Sequence, residues 1–146
     1  AFGNTEWELG TPTGTTGPLA GAGDSVNAWC TGLGDYGVES DISLRTPAID
    51  LSGVASALLS FDAYRDADGF GDTATIRFLR SSDQSQLGED VPIDMTIFDV
   101  DYDAIEVLVP AAAIGESVLI EFNFVSDGTL DTFSGLCLDN ILVQVP

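Results

Sequence analysis

An all-β sandwich in a single domain spanning residues 1–146 is what the sequence predicts, on three observations. Short apolar stretches recur between turn signals, two of them alternate with a period of two, and none sustains the 3.6-residue period of an amphipathic helix. In chain order, Trp7-Glu8-Leu9 is the first strand-like stretch. Residues 10–25, GTPTGTTGPLAGAGDS, are crowded with Gly, Thr and Pro and read as a long loop or an irregular strand with turns. Ser43 to Ala48 follows and runs into a proline. Ala57 to Tyr64 alternates, sending Leu59, Phe61 and Ala63 to the core and Ser60, Asp62 and Tyr64 to the other face. A half-polar strand of this kind fits an antiparallel sheet with one exposed side. Thr73 to Arg80 repeats the pattern, with Ile76 and Phe78 opposed to Thr75 and Arg77.

Met95 to Phe98, Ala104 to Val109, Val118 to Val125 and Leu136 to Val145 complete the strand set. In the last of these, Leu136 and Leu138 are in phase and Ile141, Val143 and Val145 resume with the other parity, so a bulge is expected at Asp139. A carboxylate inside that apolar strand needs an arginine, backbone N–H groups or a cation as partner. Only Leu51 to Leu58 and Ala111 to Ile114 can form a helical turn. There is no internal repeat and no linker.

Composition narrows the chemistry. Twenty-four Asp and Glu stand against four Arg, with no Lys and no His, for a formal charge of −20. Without His there is no Ser-His-Asp relay and no imidazole zinc ligand. Without Lys there is no Schiff-base or P-loop chemistry. Phosphate backbones and anionic lipid headgroups are repelled, so neither nucleic acid nor a membrane surface is an expected partner. An apolar fraction of 45% argues a packed core rather than acidic disorder. No apolar run is long enough to span a bilayer, and AFGNTEWELG lacks the basic-then-apolar order of a signal peptide, so a mature form or a domain of a longer protein is expected. Cys30 and Cys137 have no His or third Cys to complete a zinc site; they form one disulfide or remain two buried thiols.

Carboxylate groupings are the first candidates for a site. Asp66, Asp68 and Asp72 lie within seven residues among glycines, a pattern suited either to calcium, which takes six to eight oxygens, or to an acidic turn. The spacing is not that of an EF-hand. If the terminal strands lie side by side, Glu8 and Asp139 meet, with Asp24 nearby, and a cation would relieve their repulsion; otherwise Glu8 is exposed and Asp139 bonds local N–H groups. Asp99, Asp101 and Asp103, near Asp94, would share one strand face, most simply a solvated one. No pair of carboxylates stands out as the acid and base of a glycosidase. Among aromatic side chains, Trp29, Tyr36, Tyr64, Phe70 and Phe133 fall near loops or polar faces, where a ring beside carboxylates can hold a sugar. Trp7 and Trp29 read mainly as core or rim packing, leaving Tyr64 and Phe70 as the more exposed candidates.

The order of Trp7-Glu8-Leu9-Gly10-Thr11-Pro12, Asn27-Ala28-Trp29-Cys30-Thr31, Leu44 to Gly53 (LRTPAIDLSG), Leu59-Ser60-Phe61, the acidic stretch Tyr64 to Asp72, Phe122-Asn123-Phe124 and Leu138-Asp139-Asn140-Ile141 resembles the MAM-like jelly-roll domains of bacterial secreted metallopeptidases of the immune inhibitor A type. The resemblance runs over nearly the whole chain. It implies a jelly-roll sandwich of two antiparallel sheets and a non-catalytic, extracellular accessory or adhesion module. It also implies structural calcium at Glu8 and Asp139, and it matches the acidic loop of Asp66, Asp68 and Asp72. Cys30 and Cys137 depart from the family pattern and suggest a disulfide between the second strand region and the last. No zinc peptidase motif is present, so protease activity does not carry over. The resulting expectation is a secreted module that binds carbohydrate or an extracellular protein, with Asp62, Tyr64 and Phe70 near the ligand. The alternative is a subunit of a calcium-dependent extracellular filament, formed by self-assembly through sheet edges.

Overall fold

The computed structural model of the chain describes residues 6–129 and 133–146. Among these residues ten strands run in the order β1 (Trp7–Gly10), β2 (Ala28–Thr31), β3 (Asp41–Arg45), β4 (Ile49–Asp50), β5 (Leu58–Asp66), β6 (Thr73–Arg80), β7 (Val91–Ile93), β8 (Asp103–Leu108), β9 (Ser117–Val125) and β10 (Gly135–Gln144). They form one sheet ordered β1-β2-β10-β5-β8 and another ordered β3-β9-β6-β7, with β4 continuing the β3 edge along β9. Every pairing is antiparallel. With β1 and β4 set aside, the remaining eight strands have the connectivity of a jelly roll, in which two Greek keys close one sandwich. The expected fold class is therefore the observed one.

The alternation read from β5 and β6 decides what is buried. Leu59, Phe61 and Ala63 of β5 and Leu136 and Leu138 of β10 meet Ile76 and Phe78 of β6 and Ile120, Phe122 and Phe124 of β9. Phe61 and Phe122 cross edge to face with centroids 5.4 Å apart, the arrangement the ring quadrupoles favour. Each such side chain withdrawn from water contributes about 1.5–3 kcal/mol. The phase change in β10 is present: the register slips between Asp139 and Leu142, and Asn140 takes a positive φ of 51°. Asp139 finds backbone partners there, accepting from Ala22 N at 3.0 Å and Asn140 N at 2.8 Å.

The Gly/Thr/Pro-rich segment between β1 and β2 is a strap laid over the outer face of the first sheet. Thr15 bonds Asp35, Thr16 bonds Asp66, and further along Ala22 reaches Asp139. Close approach explains its glycines: a Cβ at Gly14 would lie 2.2 Å from Ser134 Oγ, and one at Gly21 2.6 Å from Asp139 Oδ2. Beneath the strap a second apolar cluster holds Ala28, Cys30, Tyr64 and Cys137, flanked by Leu33 and Tyr102. Cys30 and Cys137 stand opposite each other on β2 and β10 and are joined as a disulfide.

Several expectations are corrected. Met95 to Phe98 is not a strand: the strand ends at Ile93, and the Asp94 carboxylate then accepts from Thr96 N at 3.0 Å and Thr96 Oγ at 2.5 Å, curling the chain into a turn. Leu51 to Leu58 forms a turn at Gly53 and not a helical one, because the chain must redirect from β4 into β5; a 3₁₀ turn does form at Ala111–Ala113. Of Asp99, Asp101 and Asp103 only Asp103 lies in a strand, so they share no strand face. The terminal strands are not neighbours, because β2 separates β1 from β10.

Candidate functional site

One end of the sandwich gathers the loops β2–β3, β5–β6, β7–β8 and β9–β10, and buried carboxylates tie them together. Asp72 is almost wholly buried; its Oδ1 accepts from Asp127 N at 2.9 Å, and its Oδ2 from Asp68 N and the Tyr36 hydroxyl. Asp66, also buried, accepts from Ser134 N and the Thr16 hydroxyl. These two aspartates use N–H and O–H donors in place of cations, which satisfies their buried oxygens. Arg65 forks onto Asp99, with Nε and Nη2 at 2.8 and 3.2 Å, and its Nη2 also reaches Asp103 at 2.7 Å. Those hydrogen bonds to Asp99 strengthen the guanidinium's hold on its proton above the ordinary arginine value. The effect is to pin the β7–β8 loop to β5.

With the loops pinned, three phenylalanines are left at their rim. Asp68 Oδ1 accepts from Phe70 N at 3.1 Å, a tight turn that leaves the Phe70 ring fully in solvent. Phe98 is 56% exposed, and its ring leans on half-buried Phe133 with centroids 5.5 Å apart. Phe70, Phe98 and Phe133 line an open hollow of about 450 Å³ with Asp68, Gly69 and Thr96. A second hollow of about 550 Å³ adjoins it, lined among others by Thr73, Thr75, Asp94 and Thr96. The hydroxyl of Thr96, then its backbone N–H, holds the Asp94 carboxyl below the usual carboxylate range, so it is an ionised acceptor near neutral pH. Apolar ring faces beside fixed carboxylates and hydroxyls can hold a ligand that has both apolar faces and many O–H donors.

The expected site residues are distributed unevenly. Phe70 and Asp68 are in the hollow. Tyr64 is not an exposed ligand group: it is only 8% exposed, because the strap covers the face on which alternation places it. That burial raises its phenol's pKa, as it does that of Tyr102, whose ring meets Tyr64 at 5.6 Å. Asp62 sits on the outer face of the first sheet, bonded by Asn140 Nδ2 at 2.8 Å and away from the loop rim. Tyr36 is buried, and Trp7 and Trp29 are half-buried against the core, as their core reading holds. Trp29 also edges a mostly apolar groove of about 550 Å³ between the sheets, with Leu44, Pro47, Ile49 and Ile141. Apart from Arg45 and Thr46 that groove offers little to orient a polar ligand. Phe98 and Thr96 were missed as surface groups; the Asp94-x-Thr96 turn signal was the available clue.

The carboxylates Glu8, Asp24 and Asp139 are not brought together. Glu8 is exposed on β1 and accepts from Leu33 N, Asp24 is exposed on the strap, and Asp139 sits two strands away from β1. Among the described residues no three Asp, Glu or Cys side chains are grouped to hold a metal ion. Nor is any helix among them long and apolar enough to cross a membrane.

No protein-family model matches the chain, and no curated protein matches it. Solved structures do. The K1 cleaved adhesin domain of Lys-gingipain from Porphyromonas gingivalis superposes with a TM-score of 0.62 at 18% identity, over 99% of this chain and 86% of that one. A family 16 carbohydrate-binding module gives 0.53 at 12% identity, over 99% and 89%. CBM27-1 of Caldicellulosiruptor saccharolyticus, solved in complex with mannohexaose, gives 0.51 at 14% identity, over 97% and 86%. These likenesses establish the β-sandwich fold.

Proposed function

We propose that this domain is a non-catalytic extracellular recognition module that binds carbohydrate at the loop rim. The observation that carries the reading is the Phe70–Phe98–Phe133 hollow, in which two rings are held in water beside Asp68 and Thr96. Exposed phenylalanines are costly in solvent and, when clustered around a concavity, mark a binding surface. The structural neighbours named as an adhesin domain and as carbohydrate-binding modules support the same reading. The disulfide supports an oxidising, extracellular setting. Kinship with the MAM-like domains belongs to this proposal and is supported by the jelly-roll strand order together with the motifs quoted above. Calcium as a stabilising ion is a separate proposal, with no three-carboxylate grouping among the described residues behind it. The test of the main reading is a glycan array probed with the intact domain and with Phe98→Ala. Retention of neutral glycans by the first and their loss by the second supports the reading; identical profiles would refute it.

A further inference from the structure

We infer that the aromatic hollow is one of two joined subsites and that the ligand is an uncharged oligosaccharide lying across the Gly69–Thr96 contact. This rests on the carbohydrate reading and specifies the ligand's charge and length. The two hollows share Gly69 and Thr96. The contact between them is close: a Cβ at Gly69 would lie 2.7 Å from Thr96 Cα and 3.0 Å from Met95 O. Only glycine lets the β5–β6 loop seat this tightly on the β7–β8 loop, at a contact that borders both hollows.

The two sides of this contact differ in chemistry as neighbouring subsites for a sugar chain would. One offers the rings of Phe70, Phe98 and Phe133. The other offers Thr73, half-buried Thr75 and the Asp94 carboxylate, with the Pro92 ring beside Thr75 on the paired strand. Asp94 uses Oδ1 for Thr96, and Asp68 uses Oδ1 for Phe70 N. The second oxygen of each carboxylate has no protein partner among the described residues and is available to sugar hydroxyls, in charge-assisted bonds.

Charge selects the ligand class. Among the described residues no arginine lines either hollow, and the charged side chains there are Asp68, Asp72 and Asp94. Arg65, which lies behind the rim, is committed to Asp99 and Asp103. A uronate or sulfated chain would bring its anions against carboxylates with no cation to meet them. A neutral chain donates hydroxyls to the same groups.

The experiment is calorimetric titration of the whole domain with manno- and gluco-oligosaccharides of graded length from monomer to hexamer, and with oligogalacturonates. The variants are Thr75→Val, Asp94→Asn and Phe98→Ala, each checked by near-ultraviolet circular dichroism. A rise in affinity of about tenfold or more with length, abolished by Thr75→Val or Asp94→Asn without loss of short-chain binding, is the expected result. Oligogalacturonate should give no heat. Equal affinity for short and long neutral chains, all lost in Phe98→Ala, would overturn the second subsite and leave the carbohydrate reading standing. Oligogalacturonate binding as tight as the neutral hexamers would overturn the charge selection. Failure of every neutral oligosaccharide to bind would overturn both.

Discussion

Phe98 and Tyr64 exchange the roles their sequence positions suggest, and both exchanges are caused by a neighbouring turn or loop. Phe98 follows an apolar run that reads as a buried strand, but the Asp94–Thr96 turn ends that run early and leaves the ring at the rim. Tyr64 falls on the polar face of an alternating strand, but the strap covers it. Phe98→Ala is therefore expected to weaken binding of a neutral oligosaccharide about tenfold, ~1.4 kcal/mol, while leaving the melting temperature nearly unchanged, as calorimetry and a thermal melt together will show. Tyr64→Ala should do the reverse, costing about 3 kcal/mol in a urea titration through the cavity it opens, with binding retained. Asp94 supplies the pH dependence at this scale. Its folded pKa lies below its ordinary value of 3.8, so the stability its turn contributes is present above that value and lost as pH falls through the lower one. Its share of binding should accordingly persist below the ordinary carboxylate value and fade as pH falls through the lowered one, which titrations in a pH series measure.

At the scale of elements, the longer strands declared themselves in the sequence, whereas the short strands β2, β4 and β7 and the loops did not. Alternation in β5 and β6 and the phase break at Asp139 are local signals, and the structure reproduces each of them. β2 and β4 are only four and two residues long, too short to display a period. The strap's position depends on contacts with Asp35, Asp66 and Asp139, distant in sequence, so no local pattern announces it. The β7–β8 loop is held in a comparable way by Arg65. That side chain is 5% exposed, and breaking a buried ion pair by removing one partner typically costs about 3–5 kcal/mol. Arg65→Met is expected to lower stability by that order and to speed amide exchange in the loop 94–102 ahead of the core strands. A uniform change across the domain would show that the pair does not specifically hold the loop. The disulfide makes a second prediction. It closes a separation of 107 residues, for which chain entropy gives about 4–5 kcal/mol. The Cys30→Ser, Cys137→Ser double variant should lose a comparable amount in denaturant titration.

For the whole molecule, a charge of −20 on 146 residues sets the terms. Four arginines are all engaged in ion pairs, and most carboxylates bond N–H or O–H donors, so self-repulsion is relieved by fold and by solvent ions. Sodium chloride should raise the melting temperature steadily. At matched ionic strength, a calcium-specific rise beyond that given by magnesium, lost in Glu8→Ala or Asp139→Ala, would establish the separate calcium proposal, and equal rises with the two ions would refute it. The sandwich itself was legible because it follows from pattern and turn spacing. The rim site was only half legible: Phe70 and Asp68 lie in one short acidic loop, whereas Phe98, Thr96 and Phe133 join them through tertiary packing.

Occupation of the phenylalanine hollow by a neutral glycan can be followed through backbone amide shifts as neutral manno- or gluco-hexaose is added to the isotopically labelled domain. Saturable shifts concentrated at Asp68, Gly69, Phe70, Thr96, Phe98 and Phe133 are expected. Shifts confined to the flank groove around Trp29, Ile49 and Ile141, or no shifts at all with these neutral hexaoses, would contradict that occupation.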